Sequence, residues 1–212
     1  MKSKSFNGFD LLASFYDPLA RLVYGRSIRD AQTCFLNRIP LQAKVLIIGG
    51  GTGWLLAELL LVKPECEVWY VESSARMLGM ARQRNPHVNI HYIHGTSEEL
   101  PRAGFDVVIT HFFLDLFPAA TLQKMIPSIF ASTKPSVLWL VADFVDGGKW
   151  WQQALLNVMY LFFKVICQIQ AKSLPFWDTT MRQSGLTKIC THHFYGGFIE
   201  STAYCKATGI VL

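Results

Sequence analysis

The stretch VLIIGGGTG, residues 45–53, decides the fold of this chain. Its first four residues are apolar, which is typical of a strand buried on both faces of a parallel sheet. Four glycines then fall within five residues: Gly49, Gly50, Gly51 and Gly53. The apolar residues 54–62 predict a helix directly afterwards. Strand, glycine turn and helix together predict a nucleotide-type binding corner, where backbone amides at the helix N-terminus point at a ligand.

The spacing of the glycines narrows the kind of nucleotide. The dinucleotide fingerprint needs a third glycine where this chain has Trp54 or Leu56, and the Gly-Lys-Ser/Thr ending of a phosphate-binding Walker loop is absent. The pattern present is G-x-G-x-G. It resembles motif I of class I S-adenosylmethionine (SAM)-dependent methyltransferases, and the resemblance implies SAM bound along residues 49–53, Thr52 included. The alternative is an ordinary glycine turn in some other α/β protein.

Composition and charge limit the classes of protein. At 212 residues and 51% apolar residues, the chain predicts one globular domain. The net charge of +5 is spread along the sequence, so it indicates no nucleic-acid site. Five cysteines without a C-x-x-C pair predict neither a disulfide framework nor a zinc site, and favour a reducing, cytoplasmic compartment. Residues 1–12 lack an apolar segment of secretory length, so we expect no signal peptide.

An acidic residue stands at the expected distance from the glycine loop. Residues 67–71 predict a second strand that ends at Glu72, about twenty positions past the loop, where such folds hold ribose hydroxyls. A carboxylate accepts two hydrogen bonds, which matches a ribose diol. The following SSARMLGMAR resembles the family pattern after this acid. That resemblance adds Ser73 to the site and places Met77 against the adenosine. The alternative for Met77, which stays equally open, is that its side chain only fills the core.

Residues 95–101, GTSEELP, follow the third predicted strand and resemble the family segment G-D-A-E-x-L-P. The resemblance implies that Gly95, Thr96 and Ser97 surround the adenine. Thr96 replaces the usual acid, so the adenine amino group is held by Thr96, by Ser97, or through water.

The N-terminal string FDLLASFYDPLARLVYG resembles the signature of the ubiquinone/menaquinone-biosynthesis C-methyltransferases, a subfamily in which this element covers the cofactor. The resemblance implies that Tyr16, and Tyr24 with it, closes the SAM site. Pro18 at the first helical position and Asp17 as its cap predict where this helix starts. The alternative is an amphipathic helix whose aromatic residues are simply core.

The end of the fourth predicted strand, 105–110, supplies the candidate catalytic residue. Ligands bind beyond the carboxyl ends of such strands, so His111 and Phe112 are predicted pocket residues, with His111 as the candidate base. Further pocket and base candidates are Phe113, Asp115, Asp143, His192, His193 and Tyr195. The N/D-P-P-Y/F sequence of amino-group methyltransferases acting on bases or glutamine is missing, which disfavours a nucleic-acid substrate. His87, His91 and His94 form no ligand set, so we expect no metal.

The segment 149–177 is the most distinctive part of the chain. It predicts a helix with one narrow polar stripe and an apolar face wider than one side of a sheet needs. The predicted stripe comprises Gln153, Asn157, Tyr160, Lys164 and Gln168. These polar residues argue against a membrane-spanning helix. Three interpretations stay open: a pocket for a lipophilic substrate, peripheral membrane contact, or a homodimer interface through 150–170.

Strands alternating with helices, followed by a strand pair at 186–194 and 198–206, predict a doubly wound α/β fold. We expect a mostly parallel seven-stranded sheet with an antiparallel C-terminal hairpin, the Rossmann-like methyltransferase fold. It forms one domain, 1–212, with a helical cap at 6–38 and the apolar insert at 149–177.

The predicted function is SAM-dependent methyl transfer to a small lipophilic or aromatic acceptor, without nucleic acid. The alternative is a SAM-sensing or lipid-binding protein that keeps the fold; aminopropyl transfer is disfavoured by the apolar third quarter.

Overall fold

The structure, a computed structural model, describes residues 8–167, 169, 171 and 173–206. Three parts of the sequence predictions lie outside these ranges. They are the first two residues of the predicted cap, the start of the segment examined for a signal peptide, and Gln168 of the predicted stripe.

A seven-stranded sheet forms the centre of the described chain. Its strands are β1 (Lys44–Ile48), β2 (Glu67–Glu72), β3 (Ile90–His94), β4 (Phe105–His111), β5 (Thr133–Phe144), β6 (Leu186–Phe194) and β7 (Ile199–Lys206). The order is β3-β2-β1-β4-β5-β7-β6, with β1 to β5 parallel and β7 antiparallel to both its neighbours. The predicted fold class is confirmed. The order reverses between β1 and β4, and this switch point is where open α/β sheets bind ligands.

Helices cover both faces of the sheet. They are α1 (Gly8–Leu12), α2 (Tyr16–Tyr24), α3 (Ser27–Thr33), α4 (Trp54–Val62), α5 (Ala75–Arg84), α6 (Ala119–Phe130), α7 (Trp150–Cys167) and α8 (Trp177–Gln183). The helix predicted at 54–62 is confirmed. Helix α3 ends at Thr33, and a short 3-10 turn, Leu36–Arg38, follows. No helix in the described ranges combines the length and apolar character required to cross a membrane.

Strand β1 anchors the core because both of its faces are buried. Val45 and Ile47 pack into one apolar cluster with α4 and α5, while Leu46 and Ile48 pack into a second with α6. Successive side chains point to opposite faces of a strand, so a continuous apolar run serves both layers at once. This packing fixes the start of the glycine loop that follows.

Helix α7 differs from the predicted stripe at one position. Tyr160 is buried, and its hydroxyl donates a hydrogen bond to the backbone oxygen of Asp115 at 3.2 Å. The outer face instead exposes three apolar side chains, Val158, Leu161 and Val165, to 65%, 65% and 71%. Tyr160 can occupy this inner position because its hydroxyl has a buried hydrogen-bond partner.

Candidate active site

A cavity of about 760 Å³ lies where β1, β2 and β4 end, at the switch point of the sheet. Its size is within the range of small-molecule sites, roughly 300–1,000 Å³. The cavity is lined by the glycine loop, the ends of β2 and β4, and the loop after β3, and α2, α3 and α6 are among the helices that contribute further walls.

The glycine loop bounds the cavity at Gly51, and Gly53 packs on the opposite side. Gly51 has a φ of 67°, and a Cβ there would meet nothing within 4 Å, so the main chain is open. Gly53 has a φ of 83°, and a Cβ there would lie 2.7 Å from the Cα of Ala81. Gly53 was predicted to bind the cofactor, but it does not line the cavity. Its bare main chain lets α4 approach α5.

Glu72 is joined directly to this loop. Its Oε2 accepts a hydrogen bond from the Gly51 amide at 2.9 Å, and its Oε1 accepts one from the Ser74 amide at 2.7 Å. Burial raises the pKa of Glu72, and these backbone N–H groups oppose that shift by favouring the carboxylate. Two carboxylate oxygens offer about four acceptor positions, and the long bond of 3.5 Å from the Ser73 hydroxyl to Oε1 is one that a ligand hydroxyl could displace. The residues at this edge of the cavity therefore fit an adenosyl group.

The other predicted cofactor residues mostly line the same cavity. They are Tyr16, Gly49, Gly50, Thr52, Ser73, Met77, Gly95, Thr96, Ser97, His111 and Phe112. Thr96 is held locally: its amide donates to Glu99 Oε2 at 3.2 Å, and its Oγ1 accepts from the Glu98 amide at 3.3 Å. The Thr96 hydroxyl keeps its proton available for donation, as a threonine in place of the usual acid permits.

Helix α2 is fastened over the loop by a polar contact that the sequence did not reveal. The Thr52 hydroxyl donates to the Asp17 carboxylate, at 2.8 and 3.0 Å from its two oxygens. Arg84 of α5 pairs with the same carboxylate at 3.4 Å. Asp17 was predicted to cap the helix, but α2 begins at Tyr16 and Asp17 lies in its first turn. Its side chain is thereby free to bind Thr52.

A second contact fastens α1. Asp10 Oδ1 accepts hydrogen bonds from the Ser74 hydroxyl and, at 3.1 Å, from the Arg76 amide at the start of α5. Two aspartates of the N-terminal helices are thus bound by the glycine loop and by α5 with its N-cap residue Ser74.

Tyr24 does not close the cavity as predicted. Its ring packs against Phe144, Tyr195 and Phe198, with centroids 5.4 to 6.4 Å apart, and it does not line the cavity. Of the two tyrosines, only Tyr16, in the first turn of α2, lines the cavity.

His111 lines the cavity and is buried, and its Nδ1 has no hydrogen-bond partner among the described residues. Burial lowers the pKa of His111 to about 3, because an imidazolium is unfavourable away from water. The ring is therefore neutral at physiological pH. The alternative bases His192, His193 and Tyr195 do not line the cavity.

Asp115 and Asp143 form a buried carboxyl pair next to this site. Asp143 accepts backbone N–H bonds from Leu114 at 3.0 Å, Asp115 at 3.3 Å and Phe144 at 2.9 Å. Asp115 Oδ1 has no partner within the described chain. Burial raises the pKa of Asp115 to about 7, and burial together with the charge of Asp115 raises the pKa of Asp143. Neither predicted pocket aspartate lines the cavity; the pair lies in the core and retains a proton near neutral pH.

Several lining residues were not predicted, and one predicted wall is missing. Helix α3 contributes Ile28, Arg29 and Gln32, and α6 contributes a face that includes Lys124. Short helices carry no signal in the sequence for which groove they border. Of the insert residues that the structure describes, only Cys167, at the end of α7, and Ile169 line the cavity, so the body of α7 does not form the lipophilic pocket that was one interpretation of the insert.

Metal ligation finds no support in the described ranges, where no three His, Cys, Asp or Glu side chains are grouped to hold an ion. His91 Nε2 instead lies 2.8 Å from Glu67 Oε1, and His94 Nε2 lies 3.0 Å from the Ser73 backbone oxygen.

Residues 45–136 match the family model described as a methyltransferase domain. The protein is a SAM-dependent methyltransferase. The matched range contains the glycine loop, Glu72, residues 95–97 and His111, so both the predicted enzyme class and the predicted cofactor are confirmed. No curated protein matches the sequence.

Solved methyltransferase structures share the fold of this methyltransferase. A chain from the complex of the Haloferax volcanii Trm112 methyltransferase activator with a methyltransferase aligns at a TM-score of 0.72 and 14% identity, covering 96% of this chain and 99% of that chain. The Burkholderia thailandensis 1,6-didemethyltoxoflavin-N1-methyltransferase, with S-adenosylhomocysteine bound, aligns at 0.68 and 15%, covering 94% and 86%. The DhpI–SAH complex aligns at 0.69 and 17%, covering 92% of both chains. At these identities the likeness concerns the fold alone.

Proposed function

We propose that the protein transfers the methyl group of SAM to a small acceptor with a lipophilic or aromatic body. The observation that carries this proposal is the bond of 2.9 Å between Glu72 and the Gly51 amide at the edge of an open cavity. It brings the carboxylate suited to a ribose diol and the open main chain suited to an adenosyl group into one wall.

The cofactor residues have distinct proposed roles. Glu72 accepts the ribose hydroxyls, Met77 packs on the adenosine, and Thr96 or Ser97 holds the adenine edge. The glycine loop, Thr52 apart, leaves room for close approach of the ligand. SAM supplies a methyl group on a sulfonium, which is already reactive. The protein's task is then mainly to hold two reactants at attack distance, an effect worth up to several kcal/mol.

His111 is the proposed catalytic residue, and its chemistry follows from its neutrality. A neutral imidazole offers one hydrogen-bond acceptor and one donor. With a pKa of about 3 it holds a proton weakly, so we assign it the role of orienting the acceptor's nucleophile. The proton released by the acceptor then passes to solvent.

The walls near His111 support an apolar acceptor. The apolar side chains lining this part of the cavity are Ile28, Phe112, Phe113, Leu116 and Phe117.

We also propose a relation to the ubiquinone/menaquinone C-methyltransferases, a cytoplasmic location, and a membrane or homodimer contact through 150–170. The exposed Val158, Leu161 and Val165 are the side chains that such a contact would use.

Calorimetric titration with SAM and S-adenosylhomocysteine (SAH) tests the cofactor site. Glu72→Gln keeps the shape of the side chain but loses its charge and replaces one acceptor oxygen by a donor. We expect it to weaken SAH binding at least tenfold, or about 1.4 kcal/mol. Glu67→Gln on the same strand is the matched control, because Glu67 lies outside the cavity and should bind SAH like the wild type. A folded Glu72→Gln variant with unchanged affinity would contradict the proposed site.

A further inference from the structure

Two arginines of the N-terminal helices line the cavity, and neither has an ion-pair partner among the described residues. Arg21 lies on α2 and Arg29 on α3, and both border the cavity together with Gly25 between them. The ion pairs of the described chain include neither side chain. Two unpaired guanidinium groups at one wall create a local positive potential that favours an anionic ligand.

Two carboxylates of the N-terminal helices, Asp17 and Asp10, are committed to other partners. Asp17, which also lines the cavity, binds the Thr52 hydroxyl and pairs with Arg84. Asp10 accepts from Ser74 and Arg76. The positive wall is therefore not compensated within the N-terminal helices by either residue.

Arg29 is oriented by an aromatic ring. Its guanidinium carbon lies 4.5 Å from the ring centroid of Trp54, the first residue of α4. Stacking uses the flat face of a guanidinium and leaves its N–H donors at the edge available for a carboxylate. Gln32, one turn further along α3, lines the same wall, and its side-chain amide has no hydrogen bond to another described residue, so this amide adds a further donor.

We propose that this wall, the arginine wall (Arg21, Gly25, Ile28, Arg29 and Gln32), binds a carboxylate carried by the methyl acceptor. The inference rests on the proposed function, because it names the class of the acceptor: a small molecule with an apolar body and one acidic group. A planar carboxylate matches the paired donors of a guanidinium, and Ile28 offers apolar surface beside it.

The carboxylate of the cofactor itself has another place to bind. Helix α4 starts directly after the glycine loop, and the first N–H groups of a helix have no partner within it. Such a helix start favours an anion. The arginine wall then remains for the acceptor.

The test uses matched pairs of aromatic acids and their neutral amides, 4-hydroxybenzoate with 4-hydroxybenzamide and salicylate with salicylamide, added to the SAH-bound protein. Ligand-observed NMR gives each dissociation constant for wild type, Arg29→Gln and Arg21→Gln. The matched control is Arg26→Gln, which removes the same charge from an exposed residue that does not line the cavity. We expect wild type and Arg26→Gln to bind the acid of at least one pair tenfold more tightly than its amide. Both wall variants should lose that preference while binding SAH normally.

Three results would overturn the inference. Acids and amides that bind equally, or no binding by any member of the panel, would show that the wall does not select a carboxylate. Weaker binding of SAH to Arg29→Gln, with unchanged binding of 5′-methylthioadenosine, would assign the wall to the cofactor's carboxylate instead. Failure of the wild type to bind SAH at all would refute the proposed function rather than this inference alone.

Discussion

The buried pair of Asp115 and Asp143 makes stability depend on pH in an unusual direction. Burial raises the pKa of Asp115 from 3.8 to about 7, so the folded protein binds a proton that the unfolded chain releases. Wherever the folded state binds more protons, the free energy of unfolding falls as pH rises. The stabilising contribution is therefore complete below about pH 4 and is lost as pH rises through about 7.

Asp115→Asn removes the titrating group while keeping its shape. The wild type should lose about 1.4 kcal/mol of stability per pH unit from this residue between pH 5 and pH 7, or about 3 kcal/mol in total. The variant lacks that loss, so its free energy of unfolding relative to wild type should rise by about 3 kcal/mol from pH 5 to pH 8. Burial raises the pKa values of Tyr16, Tyr24 and Tyr160 beside the pair, so these tyrosines do not titrate in this window.

Urea unfolding followed by circular dichroism at pH 5 and pH 8 measures this difference. Asp106→Asn is the control: the salt bridge to Lys134 and the Lys44 amide keep the pKa of Asp106 below its usual value. Asp106 titrates only below about pH 4. The free energy of unfolding of Asp106→Asn relative to wild type should therefore be the same at pH 5 and pH 8. An Asp115→Asn effect that is also equal at the two pH values would refute the raised pKa of Asp115.

Three further substitutions test the loop and its cover. Gly53→Ala should destabilise the protein by about 3 kcal/mol in urea unfolding, because its Cβ would lie 2.7 Å from Ala81 at a φ of 83°. Gly51→Ala has open space and should cost only about 1–2 kcal/mol of stability, from its φ of 67°, yet weaken SAH binding at least tenfold by calorimetry. Asp17→Ala removes the hydrogen bond from Thr52, worth about 1 kcal/mol, and should speed SAH release about fivefold in stopped-flow measurements. An unchanged release rate would show that α2 does not cover the bound ligand.

The sheet and the cofactor loop were predictable because their signals are local. A continuous apolar run marks β1, and the helix after the glycines was predicted with the bounds 54–62 that α4 has. Glu72 stands at a fixed distance along the chain, so spacing alone places it beside Gly51. Helix α8 was missed because seven residues are too few to show a period.

The parts of the site that were not predicted depend on contacts between distant segments. Asp17 was predicted to cap a helix, which is a local role for a short polar residue beside proline. Its actual partner, Thr52, lies 35 positions away, so the local sequence gives no sign of the contact. Arg29 and Gln32 belong to a seven-residue helix whose position depends on packing against α4. The prediction that Tyr24 closes the site also depended on distant segments, because the three aromatic rings that pack against it come from residues 144–198.

The close contact between Gly53 and Ala81 couples helix α5 to the position of the glycine loop. Ala81 is buried in the core and does not line the cavity, so a substitution there does not change a residue of the cofactor site directly. Enlarging that side chain would nevertheless push the main chain of the loop and alter the depth of the cofactor groove. In directed evolution of this enzyme, codon 81 is accordingly a place to tune cofactor affinity without touching a single residue that borders the ligand.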